Sequence, residues 1–161
     1  MFESDEKVNP AFLVDDVNDL IKNHNDLIVS YKDVFSRSKS DKMKQVVEVF
    51  IEQHGVQIAS LAEFVSKLGG DPARDTDSVL LGVKMRIAAG QIFHNAGMYS
   101  AMQANEEKLA LEYERALKSL SNLSDLEAIL TEHFIITRER VAELAALVAD
   151  EQHRHKANVL R

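Results

Sequence analysis

The sequence predicts an all-α protein, a bundle of four long helices with one long crossover. Three observations carry that expectation. Only two prolines and six glycines occur in 161 residues, too few for the many turns of a strand-rich fold. Apolar residues recur at alternating spacings of four and three through four long segments, which is one face of a helix. The clearest break, "GGDPARDTD", falls between the second and third segments and starts a long connection.

Helix 1 is expected over about 10–36. Asn9 can cap it and Pro10 suits the first helical position. Its stripe is Leu13, Val17, Leu20, His24, Leu27, Tyr31 and Val34, flanked by Val14, Ile21, Ile28 and Phe35. "SRSKSD" is a short turn. Ser40 caps helix 2, with Asp41 favourable against the positive end of the helix dipole. The second stripe is Val47, Ile51, His54, Ile58, Leu61, Val65 and Leu68; Gly69 and Gly70 stop the helix and Pro72 prevents its resuming. A short loop between two long helices makes them antiparallel neighbours.

The crossover "VLLGVKMRIAAGQIF" is read as a shorter helix over about 78–93, capped by Asp77 or Ser78, with a break near His94, Asn95 and Gly97. Helix 3 follows over about 95–121, with Tyr99, Met102, Glu106, Leu109, Tyr113, Ala116 and Leu120 on its stripe. In "SNLSDLE", Ser124 and Glu127 have capping-box spacing. Helix 4 is expected over about 125–153, with Leu130, Phe134, Thr137, Val141, Leu144 and Val148 inward. Residues 1–9 read as a disordered tail, 10–153 as one domain and 154–161 as a frayed end. Two short turns around one long crossover give the ferritin-like topology.

Composition narrows the function. There are no cysteines, so disulfides, thiolate metal sites and cysteine nucleophiles are excluded. Net charge is −7 and the basic residues are scattered, which argues against a nucleic-acid partner. The acidic start "MFESDEKVNP" has no apolar core of a signal peptide, and no stretch is long and apolar enough for a membrane span. The expected location is cytoplasmic.

Each stripe is apolar except near its middle, where His24, His54, Glu106 and Thr137 stand. In helices of similar length these positions fall at one level, so one buried polar layer is expected. His133, one turn before Thr137, can reach it. Unpaired, such groups cost about 1–3 kcal/mol each, so they must meet one another, water or a metal ion. Ferritin-like di-metal sites need a Glu from each of two helices and Glu-x-x-His from the other two. That motif is missing: Glu52 stands two residues before His54, and Glu139 is followed three later by Ala142.

The residue reading therefore leads to a non-enzymatic structural or stress-associated bundle whose polar layer fixes helix register, with no certain cofactor. It is expected to form a homodimer through the apolar crossover. The alternative is a metal-binding oxidoreductase or storage protein, with iron or zinc held by His24, His54, Glu106 and His133. A scaffold for a partner helix is the third class. The minor features have plainer readings. His153 and His155 belong to a solvated helix end, Met98 and Met102 are core filler, and Tyr31, Tyr99 and Tyr113 pack with a partner for the hydroxyl.

The segments "VNDLI", "LGGDP", "DSVLLG" and "ANEEKLALEYERAL", in that order, resemble an uncharacterised bacterial ferritin-like four-helix-bundle family. The resemblance covers about 14–150. It implies a fold similar to ferritins and rubrerythrins, and an association with stress responses in some relatives. It also places the family's helix 1 carboxylate near Asn25 and its helix 4 histidine near Ala142, while Glu52 and Glu106 keep acidic character.

Overall fold

The computed structural model describes residues 10–74, 94–120 and 124–160. Within them lie α1 (Pro10–Arg37), α2 (Asp41–Lys67), α3 (Asn95–Ser119) and α4 (Ser124–Val159), a ferritin-like four-helix bundle. The expected crossover helix at 78–93, and the apolar dimer surface read from it, lie outside the described residues. No described helix is long and apolar enough to cross a membrane.

Local chemistry sets the helix ends. Ser40 caps α2 by accepting from the Met43 N–H at 3.2 Å. At the other end Gly69 takes φ +78°, the left-handed conformation that glycine adopts without steric cost. The Gly70 N–H then reaches the Val65 carbonyl at 3.1 Å and the Gly69 N–H reaches that of Ser66 at 3.0 Å, the paired bonds of a Schellman stop. Gly70 is also packed against α1, where a Cβ would sit 2.7 Å from Val14 Cγ1. Asn18 clamps the outgoing loop with both ends of its amide, donating to the Asp71 carbonyl at 3.0 Å and accepting from the Ala73 N–H at 2.7 Å. The break expected near His94 is an N-cap: its Nδ1 accepts from the Gly97 N–H at 3.0 Å and starts α3. α4 runs to Val159, past the expected end at 153.

Side-chain pairs fix the topology. His24 meets Tyr113 while Tyr31 meets Glu106, so α1 and α3 are antiparallel. Tyr113 meets His133 while Glu106 meets Arg140, so α3 and α4 are antiparallel too. α2 opposes α1, with His54 beside His24 and Phe50 beside Tyr31. Thus α2 and α3 run the same way, so the end of α2 and the start of α3 lie at opposite ends of the bundle. That is why a long crossover exists.

The core follows the stripes with two corrections. All seven α1 stripe residues are buried. On α2 the inward line passes through Phe50 and Gln57, leaving Ile51 and Ile58 half-buried. On α4 it passes through Leu126, Leu130, His133, Thr137, Arg140, Leu144 and Leu147, leaving Phe134 and Val148 at the edge. Both lines keep the four-three alternation and differ only in which step comes first, a choice that spacing alone leaves open.

Candidate functional site

His24, His54, Glu106 and Thr137 are fully buried, and His133 is 4% exposed. They do share one network, but not one level. His24, Tyr113 and His133 form one group; Tyr31, Glu106 and Arg140 form another. On α1, α3 and α4 alike, the members are seven residues apart, about 10 Å along each helix. His54 on α2 bridges the two groups. The single expected layer is therefore two layers, one heptad apart.

Glu106 organises the lower layer. Its Oε1 accepts from the Tyr31 hydroxyl at 2.5 Å and from His54 Nε2 at 2.9 Å. Its Oε2 accepts from Arg140 Nε at 2.9 Å. Burial alone would raise the Glu106 carboxyl, but His54, Arg140 and the Tyr31 hydroxyl together hold it below the ordinary range. It is an ionised carboxylate. Arg140, 2% exposed, spends its other nitrogens on Gln57 Oε1 at 3.0 Å, Gln53 Oε1 at 3.4 Å and Thr137 Oγ1 at 3.3 Å. Its guanidinium carbon lies 5.9 Å from the centre of the Phe50 ring, a cation–π distance. A buried charge is tolerable only when paired and hydrogen-bonded, and Arg140 is both.

The upper layer is a chain of rings. His24 Nδ1 faces His54 Nδ1 at 2.7 Å, His24 Nε2 faces the Tyr113 hydroxyl at 2.5 Å, and that hydroxyl faces His133 Nδ1 at 3.1 Å. Burial, then the neighbouring positive groups, pushes His24 well below the usual imidazole range. Burial also lowers His54, outweighing the pull of Glu106, and lowers His133 to about 4. All three rings are neutral near pH 7.

Neutral rings beside an ionised Glu106 admit one proton order. His54 donates Nε2–H to the carboxylate, so its Nδ1 is bare. His24 must then donate from Nδ1 and accept at Nε2 from the Tyr113 hydroxyl. Tyr113 oxygen accepts from His133 Nδ1–H. Every bond in the chain points toward Glu106. A proton entering at His133 Nε2, with each bond shifting one step, would leave the new charge on His54 beside Glu106 and reverse the chain. The geometry can therefore store or pass one proton without moving a heavy atom.

The ligand set that the sequence suggested does come together, yet as arranged it does not fit a metal pair. Each ring nitrogen between His133 Nδ1 and His54 Nε2 already faces a partner. The 2.7 Å between His24 Nδ1 and His54 Nδ1 holds a shared proton, whereas two nitrogens on one tetrahedral ion, each about 2.0–2.1 Å from it, would stand about 3.3–3.4 Å apart. Glu106 is ion-paired on its second oxygen. Among the described residues no group of three or more His, Asp or Glu side chains is placed to hold a metal ion.

Sequence reasoning missed Arg140 and Gln57, and gave Tyr31 and Tyr113 a hydroxyl partner without saying which. A signal for Arg140 was present: it stands three after Thr137 and four before Leu144, on the inward line.

No family model matches the sequence, and no curated protein matches it either. Solved structures that share its fold include two ferritin-like proteins. One is described as a ferritin-like diiron-carboxylate protein from Bacillus anthracis str. Ames, at 18% identity and TM-score 0.69, covering 86% of this chain and 96% of that one. The other is a Mycobacterium smegmatis Dps1 mutant, at 15% identity and TM-score 0.69, covering 90% of this chain and 99% of that one. At these identities the likeness carries the fold, and the chain is similar to both proteins as a ferritin-like bundle.

Proposed function

We propose that this chain is a non-enzymatic, cytoplasmic ferritin-like bundle with a structural or stress-associated role, and that it works as a homodimer. In this reading its core is a self-contained polar network in place of a metal centre. The observation that carries it is the occupancy of the donors. The buried carboxylate that would anchor a metal is neutralised by Arg140, and the imidazole nitrogens beside it bond to one another. Such a network supports register, because sliding any helix by one turn would strand several buried polar groups at once.

The alternative, an iron or zinc ion on His24, His54, Glu106 and His133, gains support from the likeness to a diiron-carboxylate protein. Elemental analysis separates the two. Protein purified without tag or chelator, then loaded with ferrous iron or zinc and desalted, is expected to retain no stoichiometric metal. The His54→Leu variant is expected to stay folded but lose about 1–3 kcal/mol, because the His24 Nδ1–H loses its acceptor. Stoichiometric metal that vanishes in His54→Leu would overturn the proposal. Light scattering on the same preparation should give a dimer mass; a monomer at micromolar concentration would remove the dimer.

A further inference from the structure

We infer that Arg140 is a resident cation: its guanidinium occupies the charge role that a metal ion would otherwise fill, and bars divalent ions from the network. The inference rests on the proposed metal-independent core and adds what keeps it so.

The observations converge on one side chain. Arg140 is the largest fully buried residue among those described. It comes from α4, bonds to Glu106 on α3 and to Gln53 and Gln57 on α2, and lies against the ring of Phe50. Its charge is permanent, since a guanidinium is not deprotonated in proteins. Without it Glu106 would be a buried carboxylate facing two donors, the Tyr31 hydroxyl and His54. That is a negatively charged pocket with an imidazole at hand, the chemistry that attracts a borderline cation such as zinc or cobalt.

Arg140 removes that attraction in three ways. It neutralises Glu106. It consumes the amide oxygens of Gln57 and Gln53, two neutral oxygen donors at this level. It also adds a like charge that a divalent ion would have to approach closely in a medium of low dielectric. The same field helps keep His24 and His133 neutral, so the proton order of the upper layer depends on it too. Loss of one side chain is therefore expected to turn a closed network into a cation site built from Glu106, His54 and Gln57.

The test is cobalt(II) titration followed by visible absorption, with zinc competition, on the full chain. Wild type and Arg140→Lys, which keeps the charge, should show no saturable site. Arg140→Ala and the bulkier Arg140→Met should each bind one equivalent, with a gain in affinity of about a hundredfold or more. Adding His54→Leu to either should abolish it. Should a neutral variant fail to fold alone, cobalt should restore its helical circular dichroism; failure to do so counts against the inference. Folded neutral variants that take no cobalt would overturn it while leaving the metal-independent reading of the wild type intact. Wild type that binds cobalt through His54 would overturn both.

Discussion

Glu106→Gln is expected to destabilise the bundle by about 3–5 kcal/mol, because it leaves a guanidinium buried without its counter-charge. The substitution keeps the shape of the side chain, so packing loss is small. What changes is electrostatic. Arg140 Nε and Glu106 Oε2 are 2.9 Å apart with side chains 2% and 0% exposed, so water cannot compensate. The new amide also brings two N–H donors into a pocket where Tyr31, His54 and Arg140 already donate. The Arg140→Met change should relieve much of the penalty, since it removes the guanidinium that Glu106→Gln leaves buried without a counter-charge. Urea unfolding of both single variants and the double variant measures the coupling. A loss below about 1 kcal/mol for Glu106→Gln would mean that the pair is not closed to solvent.

Stability is expected to fall as pH drops from about 6.5 toward 4. The sign follows from the direction of the histidine shifts. In the unfolded chain these rings take up protons near the ordinary imidazole value of 6.5; in the folded bundle His24, His54 and His133 are all held lower, His133 at about 4. Between the two values only the unfolded state binds the proton, so each unit of acidification favours unfolding. For His133 alone the loss is about 3 kcal/mol, complete near pH 4. His24 and His54 add to it. Glu106, held below the ordinary carboxylate value of 4.5, continues the trend at more acid pH. In the other direction Tyr31 and Tyr113 are raised above 10.0, mainly by burial, so stability declines again once the unfolded tyrosines ionise. A plateau between about pH 6.5 and 10 should result, with a steep acid limb. Urea midpoints followed by circular dichroism across this range give the profile, and His133→Asn should flatten the acid limb. A midpoint constant from pH 6.5 to 4.5 would show that the rings are not buried neutral.

Most of the fold can be read from spacing. The α1 and α3 stripes point inward as the alternation implies, because a bundle helix presents one narrow face to its partners. Ser40, Gly69 and the break at His94 are legible because capping chemistry is local. The site is legible only in part. His24, His54, Glu106 and Thr137 stand out as polar residues on apolar lines. Arg140 does not, since a charged residue on a helix is normally solvated, and only a carboxylate from another helix makes burial tolerable. That partner is 34 positions away in the chain, and no local pattern encodes the meeting. The tyrosines pose a related difficulty: a partner is expected for the hydroxyls of Tyr31 and Tyr113, but no local pattern says that it is Glu106 or His24.

The most direct test of a closed network of neutral rings anchored on an ionised carboxylate is the ring-nitrogen NMR spectrum of histidine-labelled protein at neutral pH. Each of the three buried histidines should show one protonated and one bare nitrogen: Nδ1–H for His24 and His133, Nε2–H for His54. A His54 ring protonated on both nitrogens, or a His24 ring protonated at Nε2, would contradict the account.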